Sequence, residues 1–357
     1  MAPSKKTVRK TKRANKPSAR ISRPRKPFII DFHAHVIVPE VDAWVKANSI
    51  PGGVGPRARA ADKSVALQQR QHRIILPKLT DPKVRLRDMD KMGVDMQVLS
   101  VNLSHYCYWA PAEKAAEIAR TCNERVAEMV AVEPDRFVGI GTVPLPDPKR
   151  AAAELKHAVT DLGLRGAIIS SHAETMELGD PKLDPFWSMA ESLDVPIYVH
   201  PAGFSHPERM RKYFLWNSIG QPLEEALAMS SLIYDGALDR HPRLKLCIAH
   251  GGGFLPYYAG RVDRAFEARP ETRENIKAKP SAYMKRMSYD TTVYNPDMIE
   301  YLAQKVGVGR IVMGTDYPVW RAENDPLGFV RRIRGLTSSQ RAAILGGNAA
   351  KLLGLSL

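Results

Sequence analysis

Cysteine is scarce in this sequence, and long hydrophobic runs are missing. The 357 residues include three cysteines, at positions 107, 122 and 247. They lie far apart and form neither a disulfide framework nor a Cys-x-x-Cys zinc site, so a reducing, cytoplasmic setting is expected. No apolar stretch approaches the roughly 20 residues of a membrane-spanning helix, and no secretory leader is recognisable. These absences favour a globular protein with no membrane partner.

Acidic residues are missing from residues 1–27, which hold eleven of the 53 lysines and arginines. Since the formal net charge of the chain is +15, the remaining residues carry only +4. The segment also has almost no apolar residues to bury, which predicts a disordered basic tail. We interpret it first as a solubilising extension, with contact to anionic lipid or an organellar transit peptide as alternatives. Because no aromatic residue lies among the charges, nucleic acid is disfavoured as a partner.

Short β-branched runs alternate with helical patterns over residues 28–357. The candidate strands are 28–35, 96–101, 137–143, 166–170, 196–200, 244–250, 287–292 and 311–316. Segments with helical periodicity lie between most of them, at 114–132, 148–162, 184–193, 223–239 and 296–306. Eight strands alternating with helices predict one α/β domain, a (β/α)8 TIM-like barrel. A doubly wound sheet is the alternative, but no Gly-x-Gly-x-x-Gly follows an early strand.

Two regions fall outside the simple alternation of strands and helices. Residues 37–80 are too long for a bare connection after the first strand and include a polar segment at 62–72. We interpret them as an insertion that caps the barrel mouth, with room for short strands of its own. At the other end, residues 337–354 predict terminal helices, and the Thr-Ser-Ser sequence at 337–339 supplies candidate N-caps.

Histidines and one aspartate stand where candidate strands end. The first strand ends in the sequence DFHAH, and the alternation of side chains along a strand puts His33 and His35 on the same face. The fifth strand ends in His200, the sixth in His250 and the eighth in Asp316. Catalytic residues of a (β/α)8 barrel lie at these C-terminal strand ends. Ten histidines spread over 357 residues would rarely fall there by accident, so we predict a metal site.

A site of three nitrogens and one oxygen would result from His33, His35, His200 and Asp316. That donor set suits zinc first, with Mn²⁺ or Fe²⁺ as the alternatives. Water in an open position at the metal ionises near neutral pH, and a neutral His250 could take its proton. No lysine ends the fourth strand to bridge a second ion. One divalent metal is therefore expected.

After residue 27, nearly the whole sequence resembles the amidohydrolase superfamily. Within it, the chain is similar to the metal-dependent non-oxidative decarboxylases, among them the 2-amino-3-carboxymuconate-6-semialdehyde decarboxylases. The motifs that carry the resemblance are DFHAH at 31–35, DP at 81–82, RLRDMDKMGVD at 85–95, VHP at 199–201, AHGGG at 249–253, GRVD at 260–263, MGTDYP at 313–318 and GNA at 347–349.

This resemblance implies the same four metal ligands, usually around zinc, and gives His250 the role of activating metal-bound water. It also implies two arginines that hold substrate carboxylates. Arg73 matches the one that precedes the Asp-Pro sequence, with Arg70 close by. Arg261 matches the other, which is donated across a homodimer interface into the neighbouring site.

The function implied by the resemblance is metal-dependent decarboxylation of a small unsaturated or aromatic carboxylic acid. A hydrolase or hydratase of an aromatic ring-cleavage product, using the same ligands, is the second hypothesis, and a non-enzymatic binding protein is the third. Ala202 and Phe204 are candidate pocket residues, because the semialdehyde decarboxylases carry a tryptophan after the His-Pro sequence and this chain does not. His172, just after the fourth strand, is a third candidate for the pocket.

Overall fold

The eight strands predicted from the sequence are present in the computed structural model, which describes residues 26–48, 62–202, 209–210 and 212–356. Most are shorter than predicted, and a small hairpin, β5–β6, follows the fourth. The strands are β1 (Ile30–Val36), β2 (Met96–Val101), β3 (Phe137–Gly139), β4 (Ala167–Ile169), β5 (His172–Ala173), β6 (Met176–Glu177), β7 (Pro196–Val199), β8 (Lys245–Ile248), β9 (Ser288–Asp290) and β10 (Ile311–Val312).

Eight parallel strands close into a barrel. One sheet has the order β1-β2-β3 and the other the order β10-β9-β8-β7-β4. Parallel bridges between Ala34 and Tyr317 and between Gly141 and Ala167 join the two sheets at both edges. At the first junction the amide of His35 donates to the carbonyl oxygen of Tyr317 over 2.7 Å. The predicted (β/α)8 barrel is confirmed, and the doubly wound sheet is not found.

Helices follow most of the strands, and none of those described is long and apolar enough to cross a membrane. Gly236, with a φ of 74°, divides the helix predicted at 223–239 into two. Thr337 caps the first terminal helix through a capping box with Gln340. The helices are α1 (Pro39–Asn48), α2 (Asp62–Thr80), α3 (Pro82–Met92), α4 (Ala112–Val132), α5 (Pro148–Thr160), α6 (Asp184–Ser192), α7 (Gln221–Tyr234), α8 (Ala237–Arg240), α9 (Ala259–Ala268), α10 (Pro280–Met284), α11 (Pro296–Val306), α12 (Pro326–Arg332), α13 (Ser338–Ala342) and α14 (Asn348–Leu353).

The described parts of the insertion at 37–80 are helical, whereas the sequence left room for short strands. They form α1 and α2, and the polar segment 62–72 begins α2. The three glutamines, the lysine and the arginine of this segment are good helix formers, which accounts for the difference. Residues 49–61 of the insertion and 1–25 of the predicted tail lie outside the described residues.

A buried histidine ties the start of the insertion to the barrel. The Nε2 atom of His105 accepts a hydrogen bond from the amide of Val38 over 3.0 Å. Burial lowers the pKa of His105 to about 4, so the imidazole stays neutral and can accept this bond at neutral pH. The chain therefore leaves β1 in a fixed direction.

Hydrogen bonds between buried polar side chains hold β1 to its neighbours on both sides. Asp31 accepts from Gln97 Nε2 of β2 over 2.9 Å and from the Thr315 hydroxyl beyond β10 over 2.6 Å. Arg85 of α3, fully buried, donates to Gln97 Oε1 over 3.0 Å and also to the carbonyl oxygen of His35. Each charge thus has polar partners, as burial of charged groups requires. The strand that carries the first two predicted ligands is fixed in place.

Candidate active site

Four buried donor side chains converge at the C-terminal end of the barrel. They offer ligand atoms that all lie within 4.8 Å of one another, and they belong to His33, His35, His200 and Asp316. The Nε2 atoms of His33 and His35 are 3.1 Å apart. Oδ1 of Asp316 lies 3.4 Å from Nε2 of His33 and 3.5 Å from Nε2 of His35. The fold therefore brings together the four residues predicted to bind metal, which we call the ligand cluster.

The outer nitrogens of two imidazoles in the ligand cluster are held by the surrounding fold. Nδ1 of His33 lies 2.7 Å from Oδ2 of Asp290, and Nδ1 of His200 lies 3.1 Å from the carbonyl oxygen of Pro201. Burial opposes ionisation of Asp290, but His33 outweighs it and the pKa of the carboxyl is lowered to about 2. Such outer bonds fix the rings and turn Nε2 towards a shared centre, as in metal sites.

The chemistry of the ligand cluster fits a divalent cation. Nε2 of His200 is buried and has no hydrogen-bond partner, which costs about 1–3 kcal/mol for a polar group inside a protein. Burial lowers the pKa of His35, and it lowers the pKa of His200 far below the usual value. Both rings are therefore neutral, the form in which imidazole binds metal. A metal ion would supply the partner that the buried nitrogen lacks.

The two carboxylate oxygens of Asp316 have different partners, the histidines of the ligand cluster and Arg321. Oδ1 faces the histidines, while Oδ2 lies 2.8 Å from Nη2 of Arg321 and accepts a hydrogen bond from the Tyr294 hydroxyl over 3.2 Å. Burial opposes ionisation, but the charges of Arg321 and the histidines hold the pKa of Asp316 well below its usual value. The carboxylate is thus ionised and oriented before any metal arrives.

His250 lies beside the ligand cluster and is paired with a carboxylate that the sequence did not reveal. Its ring centroid is 4.9 Å from that of His200, and its Nδ1 hydrogen-bonds to Oε1 of Glu225, which is fully buried in α7. Burial lowers the pKa of His250, but the charge and hydrogen bond of Glu225 raise it to about 9. The sequence suggested a neutral imidazole; with Glu225 beside it, the ring holds its proton at neutral pH. A divalent cation nearby would lower this pKa.

Backbone conformation at the site is unusual in two functional positions. His250 has a φ of 49° and Asp316 a φ of 63°, both in the left-handed region that residues other than glycine rarely adopt. The glycines after His250 serve a separate purpose. A Cβ atom on Gly253 would lie 2.0 Å from the carbonyl oxygen of Pro222, so glycine there allows α7 to bring Glu225 close.

Both arginines implied by the resemblance lie on exposed positions of helices in the single chain. Arg73 is on α2 and Arg261 is on α9, and both are exposed. Neither is hydrogen-bonded to the ligand cluster. Their assignment to substrate carboxylates stays a prediction.

The candidate pocket residues have different surroundings. Ala202 follows β7 and packs against the hydrophobic core, while Phe204 lies outside the described residues. His172 is in β5, with Nδ1 2.9 Å from the carbonyl oxygen of Glu174. Contact of these residues with a substrate stays a prediction.

Sequence reasoning missed Asp290, Glu225 and Arg321. Asp290 ends β9, the seventh barrel strand, but the strand predicted at 287–292 ends two residues later, in Thr292, so the strand-end rule passed over it. Glu225 lies on a helix and Arg321 in the segment after β10, where no spacing or strand end distinguished them.

Comparisons with known proteins agree with this geometry. The family profile described as Amidohydrolase matches residues 30–355. The chain is 33% identical over 276 residues to 2-amino-3-carboxymuconate-6-semialdehyde decarboxylase from Dictyostelium discoideum, a match that covers 77% of each protein. Its fold is similar to that of 5-carboxyvanillate decarboxylase from Sphingomonas paucimobilis, with a TM-score of 0.83, 27% identity, and coverage of 93% of this chain and 100% of that one.

A second solved structure is similar to this chain and contains a metal. It is dihydroxybenzoic acid decarboxylase from a Polaromonas species, with bound manganese and the inhibitor 2-nitroresorcinol. The TM-score is 0.78 at 26% identity, covering 92% of this chain and 97% of that one. The family match over most of the sequence, together with the barrel and its ligand cluster, shows that the chain belongs to the amidohydrolase family.

Proposed function

We propose that the protein is a metal-dependent non-oxidative decarboxylase of a small unsaturated or aromatic carboxylic acid. The observation that carries this proposal is the ligand cluster with the His250–Glu225 pair beside it, at the catalytic end of the barrel. The three similar proteins described above are all decarboxylases, and two of them act on aromatic acids by name. Fold alone would not choose the reaction, because one scaffold serves many chemistries.

One divalent metal would be held by His33, His35, His200 and Asp316. Three imidazoles and a carboxylate suit zinc first, and manganese is the alternative because the Polaromonas enzyme holds it. When bound, the ion would supply Lewis-acid chemistry and polarise a substrate oxygen. Elemental analysis of the purified protein, and activity after refilling the chelated protein with either ion, decide between the two.

His250 would handle the proton that the reaction requires. Loss of CO₂ replaces a carbon–carboxylate bond with a carbon–hydrogen bond, so one proton must reach that carbon. Nδ1 of His250 is engaged by Glu225, and Nε2 is the nitrogen that remains for proton transfer. Glu225 positions the ring and, by raising the pKa of His250, keeps the proton on it.

Arg73 and Arg261 would bind substrate carboxylates at the rim, a task for which a planar, permanently charged guanidinium is well suited. We also propose a homodimer in which Arg261 reaches the neighbouring site. In support, no residue of its helix α9 is buried in the single chain, as expected of a surface that another subunit covers. The pocket would be completed by Ala202, Phe204 and His172.

Mixing two inactive variants tests the shared site. Arg261→Gln would lack the donated arginine, and His250→Ala would lack the proton-handling group. If each site combines His250 of one subunit with Arg261 of the other, random mixed dimers restore one site in two, and activity recovers to about a quarter of wild type. No recovery in dimers shown to have exchanged subunits would place Arg261 in its own site.

We infer a cytoplasmic location from the cysteines. Cys107, Cys122 and Cys247 are all buried and unpaired, as is usual in a reducing compartment. Fluorescent tagging at the C-terminus, which leaves the basic tail free, would test this directly.

The reaction itself is tested by CO₂ release from a panel of carboxylated aromatic and muconate-type acids. Decarboxylation predicts CO₂ in equal amount to the product, and the His250→Ala variant should keep its metal and lose turnover. A product that retains all of the substrate carbon would instead identify a hydratase or hydrolase. Near-normal turnover by His250→Ala would remove that residue from the mechanism.

A further inference from the structure

Arg321 lies beside the ligand cluster, on its more exposed side. Its Nη2 is 2.8 Å from Oδ2 of Asp316, and its side chain is 21% exposed, against 1% for Asp316. A guanidinium has five N–H donors, so one ion pair leaves most of its capacity unused. Unlike the predicted rim arginines, Arg321 is already fixed next to the ligand cluster by the chain's own contacts.

Aromatic side chains flank this guanidinium. Cζ of Arg321 lies 6.0 Å from the ring centroid of Trp320, and the Trp320 ring lies 6.0 Å from that of Phe214. Trp320 is 55% exposed, which is unusual for so large an apolar side chain. Phe214 belongs to the segment after β7 and Trp320 to the segment after β10, so two strand ends contribute to one apolar surface. An exposed ring face next to a cation is suited to an aromatic anion.

We propose that Arg321 binds a second acidic group of the substrate, a carboxylate or a phenolate, while the ring packs against Trp320 and Phe214. This inference rests on the proposed function and narrows its substrate class to aromatic acids with two acidic groups. Asp316 connects the two positions, because one oxygen faces the ligand cluster and the other faces Arg321. An acid with two such groups can therefore engage both positions at once, whereas an acid with one group engages only one.

Calorimetric binding of two unreactive probes to the metal-loaded protein tests this proposal. Isophthalate carries two carboxylates and benzoate carries one. We expect Arg321→Gln to weaken isophthalate binding about 10- to 100-fold, the usual effect of losing a charge-assisted hydrogen bond. Benzoate binding should change by less than about threefold, because its single carboxylate does not need the second position. The isophthalate affinity of Arg321→Lys should lie between those of wild type and Arg321→Gln, since lysine keeps the charge but lacks the planar guanidinium.

Two further measurements separate substrate binding from a structural role. Metal content should be the same in wild type and Arg321→Gln, and Arg332→Gln, an exposed arginine of α12, controls for the change in net charge. Loss of metal in Arg321→Gln, or equal weakening of both probes, would assign Arg321 to holding Asp316 and overturn the proposal.

The binding assay needs no turnover, so it fails independently of the proposed function. A protein that released no CO₂ but bound isophthalate through Arg321 would contradict the decarboxylase assignment alone. Active enzyme whose isophthalate affinity is unchanged in Arg321→Gln would contradict the role of Arg321 alone.

Discussion

The floor of the candidate active site and its predicted rim are built by different means. By floor we mean the ligand cluster with Asp290, Glu225 and His250. By rim we mean the insertion at 37–80, predicted to cap the barrel mouth, with Arg73 and Arg261, predicted to bind the substrate. Floor side chains are buried or nearly so, and hydrogen bonds orient them. The rim arginines are exposed and are not hydrogen-bonded to the floor. The barrel therefore fixes the ligand cluster, and we expect surfaces outside the barrel to choose the substrate.

Removing a metal ligand from the floor should have the largest effect on activity. His200→Ala removes a buried ligand whose Nε2 has no other partner, so metal content should fall and activity should drop at least about 1,000-fold. Elemental analysis and a CO₂ assay measure both quantities. His157→Ala, a half-buried histidine of α5 paired with Asp161, is the control and should change neither. Full metal content in His200→Ala would mean that the ligand set is wrong.

Loss of the floor carboxylate that positions His250 should matter less than loss of a metal ligand. Glu225→Gln keeps the shape of the side chain but removes the charge that raises the pKa of His250. Activity should fall about 10- to 100-fold, as for other groups that orient a site residue. Because His250 then loses its proton at lower pH, the high-pH limb of the rate profile should move to lower pH.

A neighbour on the same helix provides the control for this prediction. Glu224 is also buried in α7 but accepts a hydrogen bond from Ser171 over 2.8 Å. Glu224→Gln can still accept that bond and should leave the pH profile in place. Coincident profiles for wild type and Glu225→Gln would show that Glu225 does not act through His250.

The hydrogen bond between His105 and Val38, which attaches the insertion to the barrel, should stabilise the protein less at low pH. Folding lowers the pKa of His105 from 6.5 to about 4, so the unfolded chain binds the proton more readily. The stability from this neutral ring is complete above the unfolded value and is lost as pH falls towards the folded value. Between about pH 7.5 and about pH 5 the loss is about 2 kcal/mol at this site. Urea unfolding at both pH values measures this loss. The free energy of unfolding of His105→Gln should depend less on pH than that of wild type. An equal dependence on pH in the two proteins would exclude His105 as the cause.

The smallest effect is expected for the predicted basic tail. Deleting residues 1–27 removes eleven positive charges, yet kcat/KM should change by less than about twofold, because salt screens charges in water over about 10 Å. Steady-state kinetics at low and moderate ionic strength test this. A large loss of activity would give the tail a part in catalysis.

The sequence was most informative about the floor, because one physical rule governed it. Strand alternation and strand ends placed His33, His35, His200 and Asp316 together, and the barrel confirmed this placement. The same rule failed for Glu225, which reaches the site from a helix across a glycine turn. That approach depends on contacts distant in sequence, which periodicity does not contain.

The sequence was least informative about the secondary structure of the insertion and about the protonation of His250. The insertion was given room for strands, but its described parts are helices, since length and polarity alone do not distinguish the two. The sequence also did not reveal that Glu225 raises the pKa of His250, because that partner comes from a helix distant in sequence. Charges brought close by folding set the protonation state, and sequence spacing does not reveal them.

The left-handed backbone at His250 and Asp316 has a consequence for how this protein can change over generations. Such conformations cost about 1–3 kcal/mol at residues other than glycine, and they persist only while something requires them. Substitution of either position by glycine or asparagine would relieve that cost, so selection for thermal robustness alone would favour the loss of these two site residues. Retention of both residues in a lineage is therefore a sign that the chemistry is still in use.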